Sequence, residues 1–143
     1  MKNFYHSKTV LITGGTGSFG SNFLFYLLKK FKLKKIIIFS RDEYKQYQLA
    51  KLINKKDLNR VRFFIGDVRD KQRLKIAVQD VNYVVHAAAL KQVPSIEYNP
   101  IEAIKTNVIG AQNIIEVCAT SDVQRVIALS SDKAAAPVNL YGA

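Results

Sequence analysis

The chain has 143 residues, 48% of them hydrophobic and 23% charged. That is enough for one domain with one buried core, at the composition of an ordinary globular protein. No apolar run approaches the ~20 residues of a membrane span, the polar start over residues 1–8 has no apolar leader stretch, and a lone cysteine, Cys118, excludes an internal disulfide. The expected location is therefore the cytoplasm. The formal net charge of +11 is uneven, with 18 Lys/Arg against 5 Asp/Glu in residues 1–75. It is spread over several elements and reads as a solvated lysine-rich surface. No nucleic-acid recognition motif accompanies it, so neither nucleic acid nor membrane is expected as a partner.

In chain order, apolar strands alternate with helices. Val10-Leu11-Ile12 is a strand ending in Thr13-Gly14-Gly15, and residues 19–31 read as a helix. The cluster Lys29, Lys30, Lys32, Lys34 and Lys35 falls at its end, where cations suit the helix dipole. Ile36-Ile37-Ile38-Phe39 is a second strand, followed by a helix over 44–53. Residues 61–65 form a third strand closed by Gly66-Asp67, residues 74–78 lie in a short helix, and 81–85 form a fourth strand ending near His86. A long helix follows, with Asn99 as N-cap, Pro100 in the first helical position and Glu102 three after the cap. Its apolar stripe, Ile101, Ile104, Val108, Ala111, Ile115 and Cys118, is expected to pack on a sheet, although part of it could meet a partner subunit. Cys118 reads as a small core residue. Residues 126–129 form a fifth strand ending at Ser130-Ser131.

Short β-branched strands separated by helices imply right-handed βαβ units and a parallel sheet covered on both faces. The first strand runs into Thr13-Gly14-Gly15-Thr16-Gly17-Ser18-Phe19-Gly20. Glycines at this spacing permit a tight turn, close backbone approach to a pyrophosphate and close helix–sheet packing, and the following helix N-terminus offers free N–H groups. Cofactor contacts are thus expected from Gly14, Thr16, Gly17, Ser18, Phe19 and Gly20. The fold class is α/β, a Rossmann-type doubly wound parallel sheet, with residues 1–143 forming one NAD(P)-binding domain.

The end of the second strand bears on which cofactor is bound. It reads Phe39-Ser40-Arg41-Asp42-Glu43-Tyr44-Lys45. A hydroxyl and two cations, Ser40, Arg41 and Lys45, suit the 2′-phosphate of NADP. Asp42 could instead bind a bare ribose, as NAD sites do.

Five segments carry a resemblance: Gly17-Ser18-Phe19-Gly20, Phe39-Ser40-Arg41-Asp42-Glu43, Gly66-Asp67-Val68-Arg69-Asp70, His86-Ala87-Ala88-Ala89-Leu90-Lys91-Gln92-Val93-Pro94 and Ser130-Ser131-Asp132-Lys133-Ala134. With these the chain resembles the extended short-chain dehydrogenase/reductase family, over residues 8–143. Within it the likeness is to inverting UDP-N-acetylglucosamine 4,6-dehydratases of bacterial polysaccharide and flagellin-sugar biosynthesis. The resemblance implies that Asp67 and Val68 contact the adenine, that Ala87, Ala88 and Ala89 line the cofactor, and that Lys91 lies near phosphates. His86 carries no assigned chemistry, and no metal is implied.

The resemblance also implies a catalytic set of Ser131, Asp132, Lys133 and Tyr141. Tyr141 takes the proton of the sugar C4 hydroxyl, Ser131 hydrogen-bonds the C4 oxygen, Lys133 removes the C5 proton and Asp132 protonates the departing C6 hydroxyl. A hydride leaves C4 for the cofactor and returns at C6. Three departures stand out: Ser131 where the family often has threonine, Ala135-Ala136-Pro137 where it often has Ala-Asn-Pro, and no lysine four residues after Tyr141, since Ala143 is the last residue. The expectation is an N-terminal fragment with little or no turnover, lacking the last strands and the substrate-binding part, from an enzyme that is a homo-oligomer when full length. An epimerase or reductase with the same front end, or a non-catalytic NADP-binding module, is the alternative.

Overall fold

The computed structural model describes residues 6–143; most of the polar start read from the sequence, residues 1–5, lies outside them. Strands β1 (Thr9–Thr13), β2 (Lys35–Ser40), β3 (Val61–Ile65), β4 (Tyr83–His86) and β5 (Arg125–Ala128) form one sheet. All neighbours are parallel, in the order β3-β2-β1-β4-β5. The chain builds outward from β1 on one side, then crosses to β4 on the other. That reversal opens a crevice at the carboxyl ends of β1 and β4, where doubly wound sheets bind ligands.

The central strands are apolar throughout because both faces are covered. Val10, Leu11, Ile12, Ile36, Ile38 and Val84 are each at most 1% exposed, and such burial is worth ~1.5–3 kcal/mol per large aliphatic side chain. On one face, α1 (Ser18–Lys30) and α2 (Glu43–Leu52) pack Leu24, Leu27 and Leu49 against β1 and β2. On the other, α4 (Lys71–Ala77) and α7 (Gly110–Ala119) pack Leu74, Ile114 and Val117 against Leu11, Phe39 and Val84. Asp42 and Asp70 cap α2 and α4, accepting from the N–H groups of Lys45 and Arg73 at 2.9 Å. Two short helices that the hydrophobic pattern did not announce, α3 (Lys55–Leu58) and α5 (Val93–Tyr98), complete the layers. No helix among the described residues is long and apolar enough to cross a membrane.

The long helix departs from its expected form. It runs as α6 (Pro100–Ala103), a π-turn over Ile104–Ile109 and α7, with the N–H of Gly110 reaching the carbonyl of Lys105. Ile101 (58% exposed), Ile104 (39%), Val108 (58%) and Ile115 (61%) face outward, before, within and after that turn. Of the expected stripe, Cys118 is buried and Ala111 half-buried; the packed face is instead Ala103, Thr106, Gly110, Asn113, Ile114 and Val117. Small residues decide this, because a Cβ on Gly110 would lie 2.7 Å from Val68 Cγ2. Asn99 does not cap with its side chain, which donates to the Ser95 carbonyl. Glu102 pairs with Arg69 and Lys105 rather than closing a capping box. Burial raises the Cys118 thiol to about 11, as fits a core residue.

Candidate nucleotide and catalytic crevice

The register sets the site. Phe39, Thr13, His86 and Ala128 pair in one row across β2, β1, β4 and β5. The four segments leaving that row therefore emerge side by side, strand by strand at ~4.8 Å. They begin at Ser40, Gly14, Ala87 and Leu129, and they carry nearly every residue singled out in the sequence.

Gly14 has φ +64°, and a Cβ there would lie 2.8 Å from the Ala87 carbonyl oxygen and 2.9 Å from Ala88 Cα. No other residue type fits so close to the neighbouring chain. A Cβ on Gly20 would lie 2.6 Å from the Gly14 oxygen, so the first turn of α1 rests directly on the loop. Gly17, the N-cap residue, is exposed and supplies no side-chain cap. The opening N–H groups of α1 are thus left for an anion. Thr16 is half-buried, and Ser18 and Phe19 are exposed around that opening. The cradle fits a dinucleotide pyrophosphate.

Thr13 and His86 lock the floor. The Thr13 hydroxyl accepts the N–H groups of Ala87 (3.1 Å) and Ala88 (3.2 Å) and lies 2.7 Å from His86 Nδ1. With both acceptor positions used, the hydroxyl must donate to Nδ1, which fixes the imidazole as the neutral Nε2–H form. Burial lowers the His86 pKa, in keeping with a neutral ring. Ala87 and Ala88 are half-buried, while Ala89 and Lys91 are exposed beyond them. Asn107, on the π-turn, holds this segment at both backbone groups of Leu90: its Oδ1 accepts from the N–H at 2.8 Å and its Nδ2 donates to the carbonyl at 2.9 Å.

At the β2 end, Ser40 is buried and its hydroxyl accepts from Gln46 Nε2 at 2.9 Å. Gln46 also donates to the Ser40 and Phe64 carbonyls. Ser40 thus anchors α2 to the strand ends and is not presented openly. Arg41 and Lys45 are exposed, with side-chain accessibilities of 53% and 63%. Asp42 is occupied as the α2 cap, with Lys45 Nζ at 3.6 Å.

Asp67 accepts the Arg69 backbone N–H at one oxygen and its guanidinium at the other, with Arg41 at 3.6 Å. Burial alone would raise its pKa; the bonds from Arg69 and the charges of Arg69 and Arg41 outweigh it and hold the carboxyl below its ordinary value. Val68 is buried with its side chain against Gly110, and its carbonyl accepts from Asn113.

Ser131 caps a 3-10 turn, Asp132–Ala134, its hydroxyl accepting the Lys133 N–H at 3.2 Å and lying 3.4 Å from Asp132 Oδ1. Asp132 and Lys133 are exposed and form no ion pair with one another. Tyr141 is half-buried and returns beside this turn, since a Cβ on the adjacent Gly142 would clash with the Lys133 carbonyl. The same stretch is tied to α5 by the Leu140 N–H donating to Glu97. Ala136 has φ +50°. The position where the resembling family often carries asparagine is thus left-handed, which asparagine tolerates better than alanine.

Sequence reasoning missed Gln46 and Asn107, which belong to no motif, and gave Thr13, at the head of the glycine segment, no role of its own. Each acts through a backbone group that only the fold brings within reach.

The family described as polysaccharide biosynthesis protein matches residues 10–143. The chain belongs to that family. Within the family it is 56% identical over 139 residues to a UDP-N-acetylglucosamine 4,6-dehydratase (inverting) of Campylobacter jejuni, covering 97% of this chain and 41% of the relative. It is 49% identical over 138 residues to a UDP-glucose 4-epimerase of Rickettsia bellii, covering 94% and 40%. Among solved structures, Pen from Bacillus thuringiensis superposes with a TM-score of 0.92 at 41% identity, over 97% of this chain and 42% of that one. A dTDP-glucose 4,6-dehydratase, DesIV from Streptomyces venezuelae with NAD bound, superposes at 0.78 and 27% identity, over 94% and 47%. The chain thus spans less than half the length of these relatives.

Proposed function

We propose that residues 1–143 are the dinucleotide-binding part of an NADP-dependent, C5-inverting UDP-N-acetylglucosamine 4,6-dehydratase of surface-polysaccharide or flagellin-sugar biosynthesis. The observation that carries the reading is the register row Phe39–Thr13–His86–Ala128. It sets the glycine turn, the Ala87–Lys91 stretch and the Ser131–Lys133 turn at one edge of the sheet. The 56% identity to the Campylobacter dehydratase favours dehydration over the epimerisation named for the Rickettsia relative.

Gly14, Thr16, Gly17, Ser18, Phe19 and Gly20 hold the pyrophosphate, with Lys91 nearby. Asp67 and Val68 border the adenine, Val68 through its backbone because its side chain is spent on Gly110. Ala87, Ala88 and Ala89 line the remainder. Arg41 and Lys45 neutralise the 2′-phosphate, Ser40 supporting them from below through Gln46. The engagement of Asp42 as a helix cap favours NADP over NAD.

A nicotinamide dinucleotide held by these residues would supply a reversible hydride acceptor for the sugar. Tyr141 takes the C4 hydroxyl proton while Ser131 hydrogen-bonds that oxygen. With C4 a ketone, the C5–H is acidic and Lys133 removes it. Asp132 gives a proton to the C6 hydroxyl as it leaves; with the hydride restored at C6 and a proton returned to C5 on its opposite face, the net change is loss of water. Full turnover and the homo-oligomeric assembly, for which the outward Ile101, Val108 and Ile115 are suited, belong to the longer protein.

Calorimetric titration with NADP⁺ and NAD⁺, separately, tests the cofactor assignment. NADP⁺ is expected to bind more tightly, and Arg41→Ala with Lys45→Ala to remove the preference. Tighter NAD⁺ binding in the unaltered chain would reverse the assignment. Release of a 4-keto-6-deoxy sugar from UDP-N-acetylglucosamine by the full-length enzyme, and by residues 1–143 not at all, is the expected activity result.

A further inference from the structure

The lysines that look scattered in the sequence converge in the fold. Lys29 and Lys30 end α1, Lys32 and Lys34 lie in the turn before β2, and Lys55 and Lys56 open α3. All of them are exposed, and none makes a side-chain hydrogen bond or ion pair with another described residue. Four of them, Lys29, Lys30, Lys32 and Lys56, rim a groove of about 960 Å³ whose apolar walls include Phe25, Leu28 and Leu52. Its one carboxylate, Asp57, is paired to Arg60.

Local stability does not account for the cluster. Cations at the end of α1 suit its dipole, but Lys32 and Lys34 lie beyond that helix, and Lys55 and Lys56 stand on a separate single turn with no anionic partner among the described residues. Large apolar side chains lie exposed among the amines: Leu52 is 71% exposed, Tyr26 51% and Leu58 40%. Lysines whose stems cover apolar surface while the ammonium stays in water suit the boundary between lipid headgroups and acyl chains. Nucleic acid is favoured less, because the cluster's lone guanidinium, Arg60, is taken by Asp57 and the Phe31 carbonyl, and arginine is the residue suited to bidentate phosphate contacts.

We propose that this face docks on a lipid surface bearing anionic headgroups. It lies at the amino ends of β2 and β3, opposite the crevice at the carboxyl ends, about 20 Å away along a six-residue strand. Docking there leaves the crevice open to solution. This departs from the expectation of no membrane contact, which rested on the charges being dispersed.

The test is cosedimentation of the chain with phosphatidylcholine vesicles with and without phosphatidylglycerol, at low and high salt. Binding to the anionic vesicles alone, weakened by salt and reduced on the order of tenfold or more in the Lys30→Gln/Lys32→Gln/Lys55→Gln/Lys56→Gln variant, is expected. Equal binding to neutral vesicles, no binding to anionic ones, undiminished binding by the variant, or displacement by a lower concentration of single-stranded RNA than of lipid would each overturn the proposal. The wild-type arms decide the matter even if the variant does not fold.

Discussion

Replacing Asn107 by alanine removes the one side chain that clamps both backbone groups of Leu90, at 2.8 and 2.9 Å. Each such bond contributes ~0.5–1.5 kcal/mol net, and a half-buried partner left unmet adds to the loss. The expected destabilisation is therefore about 2 kcal/mol, read as a lower urea midpoint with unchanged slope. Asn107→Asp keeps the acceptor for the Leu90 N–H but sets an oxygen against the carbonyl, so it should cost at least as much. Gln112→Ala serves as control: Gln112 is exposed and bonds Glu116, and its loss should stay within ~0.5 kcal/mol. Nucleotide affinity should fall with both Asn107 variants, because the clamped segment borders the cofactor crevice. If both stay within ~0.5 kcal/mol of the wild type, the clamp is not what holds that segment.

Three further outcomes follow from the same geometry. Gly14→Ala should destabilise by about 2–3 kcal/mol and abolish dinucleotide binding, since a left-handed φ and a backbone overlap coincide there; a folded variant with unaltered affinity would contradict the cradle. Ala136→Asn should slow proteolysis within residues 131–143 by relieving ~1 kcal/mol of left-handed strain; faster cleavage would argue against it. His86 has a folded pKa lowered by burial, so the unfolded chain takes up the proton first. Stability from this group is full above the unfolded value of ~6.5 and is lost as pH falls through the folded one. His86→Gln should flatten the loss of stability as pH falls below about 6.5, and an identical slope in wild type and variant would remove His86 as its source.

The sequence by itself determined the sheet and where its crevice lies. Apolar β-branched runs such as Ile36-Ile37-Ile38 fit strands covered on both faces, and the glycine spacing fits a turn in which positions 14 and 20 leave no room for a Cβ. These are local properties, carried by spacing and side-chain size, and so they are legible along the chain. The tertiary structure decided the rest. Helical periodicity placed Ile101, Val108 and Ile115 against the sheet, but the face that carries Gly110, seated against Val68, turned inward instead. Asp42, read from the sequence as an alternative ribose ligand, also caps the start of α2. Asn107, Gln46 and Thr13 act on backbone groups of Leu90, Phe64 and Ala88, 17, 18 and 75 residues away in sequence. The lysines of α1 and α3 gather at one rim because two separate chain reversals end at the same edge of the sheet. A sequence records residue type and local spacing; long-range hydrogen bonds, helix phase and the summed charge of a surface exist only once the chain has closed on itself.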